Sequence, residues 1–320
     1  MKKKFDIKEK IKSTRLFRLF RLITKKIILP GFDGVPLYDV IVFFIKGLMD
    51  GSITTRASSV AYKFFIALFP AIIFLFTLIP YIPIENFQAT LLETIRTALP
   101  DNVNAMINET ITDIISRQHG GLLSLGFILA IYFASNGILG VITAFNSTTH
   151  IIESRSLWQQ YAISIALTII LTLIVILSIS LIMLGTSGMG FLMSAHIIEE
   201  NVLLFILKIL KWIIVFFMLF FVVSFLYYLG PAKKRQFRFI SAGSTLATLL
   251  FIATTIGFKY YVDNFASYNA VYGSIGTIIV ILMWLYLNSI ALIVGFELNA
   301  SILHAKKSKS KVLASRTKSL

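Results

Sequence analysis

Long unbroken apolar runs alternate along the chain with short polar interruptions. Six runs, at about 58–81, 121–145, 158–184, 202–229, 239–258 and 274–298, reach the roughly 20 residues that cross about 30 Å of hydrocarbon as a helix. None shows the strict alternation of a membrane strand, so a strand barrel does not fit. The pattern predicts an all-α polytopic membrane protein with six transmembrane helices. A seventh apolar segment, 37–49, is too short to cross and reads as an interfacial or re-entrant helix.

The interval 82–120 is too long for a turn. Phe87, Leu91, Leu92, Ile95 and Leu99 fall at helical spacing, as do Val103, Met106, Ile107, Ile111, Ile114 and Ile115. Pro100 separates the two sets, and Asp101 is a good N-cap for the second. They predict an amphipathic extracytoplasmic helical hairpin, folded over the bundle mouth or flat on the leaflet.

Charge sets the expected orientation. Net charge is +15 although only 14% of residues are charged. Basic residues crowd residues 1–26, then Lys233, Lys234, Arg235 and Arg238, then the tail from Lys306. Six spans bring all three clusters to one side. The 82–120 interval instead carries Glu85, Glu93, Asp101, Glu109 and Asp113, and Glu199 and Glu200 end another interval on that side. The excess of Lys and Arg on cytoplasmic loops predicts a multi-pass plasma-membrane protein with both termini cytoplasmic. The division expected is a basic cytoplasmic segment 1–36, a membrane domain 37–303 and a basic cytoplasmic tail 304–320.

The stretch "STRLFRLFRLITKKIILP" interleaves basic and bulky apolar residues. On a helix Leu16, Phe20 and Ile23 line one side, which suits anionic inner-leaflet headgroups and membrane lipid as partners. A plain topology signal explains the same charges. The basic clusters flank spans, so no nucleic acid is expected; a second copy of the chain is a further partner to consider. With no cysteine, disulfide and thiolate chemistry are excluded.

Polar residues inside the spans are the candidate chemistry, because charge at membrane depth is costly and often functional. Lys63 lies in the first span, Asn136 in the small-residue run "FASNGILG" of the second, and Glu297 in "GFELNA" of the sixth. Lys63 and Glu297, at similar depth, are expected to pair. Lys63 snorkelling alone to the interface is the plainer alternative. The stretch "YYVDNFASYNAVYGSIG" between the last two spans is a second candidate. Tyrosines suit an interface, but the company of Asp263, Asn264, Tyr268, Asn269, Tyr272 and Gly273 marks an outer gate or binding surface. A packed hairpin corner is the bland reading.

"AYKFFIALFPAIIF" in the first span and "ASYNAVYGSIGTIIVILMWLYLNSIALIVGFELNA" in the sixth, with the six-span plan, resemble the YihY/BrkB family of bacterial inner-membrane proteins. The resemblance covers about 37–300. It is most specific at Tyr268, Asn269, Tyr272, Gly273, Trp284, Glu297 and Asn299. Lys63 departs from it, since the family commonly has an uncharged residue there. The resemblance brings an inherited ribonuclease BN label and a link to serum-resistance virulence factors, but no settled activity.

The residues do not suggest a nuclease. His119, His150, His196 and His304 are scattered, and no metal-type spacing, phosphate loop or nucleophile elbow is present. No enzyme activity, metal or cofactor is expected. The expected function is transport or translocation of a small solute or lipid, or a related envelope role. A non-enzymatic scaffold recruiting partners is the alternative.

Overall fold

The computed structural model describes residues 15–50, 52–81, 92, 112, 117–148, 153–194, 200–232, 238–264 and 274–317, and among them the regular structure is helical. The helices are α1 (Arg15–Lys26), α2 (Leu37–Asp50), α3 (Ile53–Leu78, followed by a 3-10 turn Ile79–Tyr81), α4 (Gly120–Thr148), α5 (Leu157–Ser194), α6 (Glu200–Leu229), α7 (Ala242–Asn264) and α8 (Ser274–Thr317). Among the described residues, α3 to α8 are the six helices long and apolar enough to cross a membrane. The six-span reading therefore stands. The hairpin expected in 82–120 lies outside the described residues, apart from isolated positions.

Local chemistry sets several boundaries. Ser156 caps α5: Gln159 N–H donates to Ser156 Oγ (3.4 Å), and Ser156 N–H donates to Gln159 Oε1 (3.1 Å). This reciprocal bond satisfies donors that a helix start leaves without partners. Ser241 does the same for α7, accepting from Ser244 N–H at 3.1 Å. At the end of α6, Gly230 N–H still reaches Leu226 C=O (3.0 Å). Pro231 follows and cannot continue the ladder. Helix α3 runs on both sides of Pro70, which is buried.

The spans form a closed ring. Each packs on its chain neighbours from α3 through α8, and α8 returns to pack on α3. Helix α8 also touches α4 and holds α2 against its outer side. At 14 residues, α2 is about 21 Å long, short of a bilayer core. Its apolar face meets the C-terminal part of α8 through Val40, Ile302 and Ala305, with Phe32 and Val35 of the preceding loop. Helix α8 itself continues well past its apolar stretch to Thr317.

Burial is uneven along the ring: it is densest at the end bearing the termini, although α3 stays buried at Ala67, Pro70, Thr77 and Ile79 towards the other end. The core joins Val141, Ile142 and Phe145 of α4, Val223, Leu226 and Tyr227 of α6, Ala247 of α7 and Leu292, Ile293 and Phe296 of α8. All lie in the halves nearest the termini. On α4 only Gly126 is buried ahead of Ser135, whereas burial is nearly continuous from Ser135 to Thr148. The first half of α4 exposes Leu122, Leu125, Phe127, Ile128 and Tyr132. At about 100° per residue these positions cover roughly 220° of the helix circumference.

Candidate functional site

The densely packed end has an aromatic centre. Phe145 of α4 and Phe296 of α8 stack with centroids 4.2 Å apart. Tyr227 of α6 stands edge-on to both, at 5.3 and 5.4 Å. Its buried hydroxyl donates to Leu292 C=O at 2.6 Å, which gives the phenol the partner it needs in an apolar site. Small residues make this approach feasible. A Cβ on Gly295 would lie 2.6 Å from both the Tyr227 hydroxyl and the Ala247 methyl, and one on Gly243 would strike the Gly295 carbonyl.

Directly beneath the stack lies a buried ion pair. Arg56 Nη2 of α3 is 3.9 Å from Glu297 Oε2 of α8, and each side chain is about nine-tenths buried. Arg56 Nη1 donates to Ala144 C=O (3.0 Å) and to the Thr148 hydroxyl. Ala144 C=O, which also accepts from the Thr148 hydroxyl (3.2 Å), lies near the C-terminal end of α4, where the helix dipole favours a cation. Glu297 also faces α2: a Cβ on Gly47 would fall on its carboxylate. Four helices thus meet at one charge pair.

The sequence expectation paired Glu297 with Lys63. The structure places Arg56 against the carboxylate instead. Lys63 lies two turns further along α3, about 10 Å away, half-buried, with its stem on α4. A Cβ on Gly140 would come 2.7 Å from Lys63 Cδ. Asn136 is half-buried on α4. Asp263 and Asn264 fall in the last turn of α7 and their side chains are not described; Tyr268, Asn269, Tyr272 and Gly273 lie outside the described residues.

Three further polar ties lace the same end. Glu153 accepts from Arg155 Nε (2.7 Å), Arg155 Nη2 (2.6 Å) and Asn146 Nδ2 (2.7 Å). Arg155 also donates to Gly230 C=O (3.0 Å), and Asn146 Oδ1 accepts from Ala232 N–H (3.1 Å). This joins the end of α4, the start of α5 and the end of α6. Hydrogen bonds from Arg155 hold the Glu153 carboxyl below the usual carboxylate range, against the opposing effect of burial. Asn299 of α8 accepts from Gly243 N–H (2.8 Å) and donates to Ser241 Oγ (2.9 Å). Asp33 pairs with Arg238 and Lys306, each at 2.9 Å.

Arg56, Gly47, Tyr227 and the Glu153–Arg155 pair were not singled out from sequence. A signal for Arg56 existed. It follows "SITT" and precedes the apolar run, so it read as a flanking charge, yet α3 begins at Ile53 and takes Arg56 into its first turn.

Fold and site together define an all-α multi-pass membrane protein, a ring of six spans tied at one end by a buried ion pair. The profile of the virulence factor BrkB family matches residues 44–319, and the chain belongs to this family. The ribonuclease-like protein YfkH of Bacillus subtilis is 33% identical over 253 residues, covering 79% of this chain and 90% of the relative. The UPF0761 membrane protein NTHI0384 of Haemophilus influenzae is 25% identical over 261 residues, 81% of this chain and 93% of that protein. No solved structure matches the chain.

Proposed function

We propose that this protein moves a small solute or lipid across the bacterial plasma membrane, and that the structure is its form closed at the end bearing the termini. The carrying observation is the uneven burial of the ring. A purely structural bundle gains by packing along its whole length. Here the aromatic stack and the charge pair lie in one half, and α4 loses cover over most of its circumference in the other, while α3 keeps buried positions along its length. The basic clusters support placing the closed end in the cytoplasm.

In this reading Arg56 and Glu297 form the inner gate. A buried pair is weak as a source of stability, since desolvation offsets its attraction. It suits a contact that must form and break, because water entering the ring stabilises the separated charges. Gly47 lets α2 close against the carboxylate from outside the ring. No catalytic role is assigned to these residues.

The test is flux through proteoliposomes. Vesicles carrying wild type or Glu297→Gln are assayed with potassium, chloride, protons and a fluorescent phospholipid. At least one permeant is expected to move faster than through empty vesicles, at a rate altered by Glu297→Gln. No protein-dependent movement of any of them would reject the reading in favour of a scaffold.

A further inference from the structure

Helix α1 is mounted with its apolar side outward. Leu19, Leu22 and Ile23 are 57%, 62% and 51% exposed, and they share an arc of about 100°. The exposed apolar strip continues through Ile27, Ile28 and Leu29. Lys26 lies on the same arc, and the exposed Arg21 and Lys25 flank it on the Leu22 edge. Thr24 is buried, the Arg21 guanidinium lies 5.5 Å from the centre of the Tyr38 ring on α2, and Lys25 Nζ lies 6.0 Å from it. Cation–π contacts of this kind hold the cations while leaving their outer hydrogens for other acceptors.

The mounting is fixed rather than trailing. Leu37 N–H donates to Ile27 C=O at 2.9 Å, closing the chain between α1 and α2. Within that loop Gly31, Asp33 and Gly34 adopt positive φ. Asp33 is held by Arg238 and Lys306, and Lys309 Nζ donates to Gly34 C=O at 3.1 Å. Helix α1 is therefore tied to α2 and, through the loop, to α8.

We infer that α1 is a membrane-surface anchor that recognises anionic phospholipid. An outward row of leucine and isoleucine calls for acyl chains, and adjacent Arg21, Lys25 and Lys26 call for phosphate beside them. Only a lipid surface supplies both at that spacing. Charge complementarity extends over this end of the molecule, where Arg238, Lys306, Lys307 and Lys309 gather. Tyr38 joins the anchor to α2, the helix that also contacts Glu297, so lipid bound at α1 acts on the helix beside the charge pair.

The absence of cysteine makes the test direct. Leu22→Cys in the full-length protein is labelled with an environment-sensitive fluorophore. It is placed, one copy per nanodisc, in phosphatidylcholine alone or mixed with phosphatidylglycerol. Brominated acyl chains are expected to quench the Leu22 label, and phosphatidylglycerol to strengthen quenching several-fold in a salt-sensitive manner. The combined Arg21→Gln, Lys25→Gln and Lys26→Gln variant, verified to keep the wild-type melting temperature, is expected to lose that strengthening. A label that stays water-exposed in both lipids would overturn the anchor. Quenching indifferent to phosphatidylglycerol would overturn headgroup recognition. Energy transfer between labels of two copies in larger vesicles, without bromine quenching, would assign the face to self-association instead.

Discussion

Arg56 of α3 and Glu297 of α8 meet between neighbouring spans at the end of the ring bearing the termini, Nη2 to Oε2 at 3.9 Å, with α4 supplying a carbonyl to the arginine and α2 a glycine to the glutamate. Removing one partner of a buried pair typically costs about 3–5 kcal/mol. Arg56→Met and Glu297→Gln are each expected to lower the unfolding temperature. The double variant should lose less than the sum, with a coupling above about 0.5 kcal/mol. Lys63→Met should combine additively with Glu297→Gln. Coupling at Lys63 and none at Arg56 would contradict the observed pairing.

Gly47 gives a sharper steric test. Its substitution by alanine puts a methyl on the Glu297 carboxylate, so α2 must withdraw or the carboxylate must leave Arg56. Gly47→Ala is expected to destabilise the protein and raise proteolysis around α2. Gly257→Ala serves as the control, since nothing lies within 4 Å of its added methyl. Equal melting curves for the two variants would show that α2 does not seat against Glu297.

Glu153 predicts an acid sensitivity whose direction follows from its lowered pKa. A carboxyl held below its unfolded value contributes fully above that value and loses the contribution as pH falls through the folded value. With an ordinary value of 4.5, the window lies below about pH 4.5. Melting temperature measured from neutral pH downward should fall more steeply in wild type than in Glu153→Gln. Parallel curves would mean that the bonds from Arg155 and Asn146 do not stabilise the fold.

The spans were legible because each is a continuous apolar run, and hydrocarbon leaves few other solutions for such a run. The brevity of α2 was legible for the same reason. The pairing at the site was not. Lys63 looked deeper than Arg56 because the first span was taken to begin at residue 58, whereas the helix starts at Ile53. Depth along one helix then had to be matched to depth along another. That register depends on small-residue contacts such as Gly295 with Tyr227 and Gly140 with Lys63. Glycine spacing showed that some helices pack closely, but not which partner each would meet. Asn299 was visible as part of the family pattern. Its bond to Gly243, which holds the start of α7, depended on the fold.

The ribonuclease-like name of the Bacillus subtilis relative can be tested on this chain directly. His304 packs edge-on to Phe43 with centroids 6.4 Å apart. Among the described residues no three His, Cys, Asp or Glu side chains gather as a metal group would require. Purified protein is expected to cleave RNA with added magnesium or manganese no faster than a charge-matched membrane control. Cleavage abolished by a single acidic substitution would assign a catalytic site.

The central claim is that, among the described residues, α4 is covered from about Ser135 onward and water reaches its first half from the end opposite the termini. Single cysteines placed in turn from Leu122 to Tyr132, and from Ile138 to Ala144 excluding Gly140, test it on one helix in the cysteine-free background. Each is treated in intact cells and inverted vesicles with a membrane-impermeant maleimide. The account predicts labelling within 122–132, recurring every three to four positions and only from the side opposite the termini, with 138–144 labelled far more slowly and only from the side of the termini, when the gate opens. No labelling at 122–132, or labelling at 138–144 from the side of the termini as fast as that at 122–132, would contradict it.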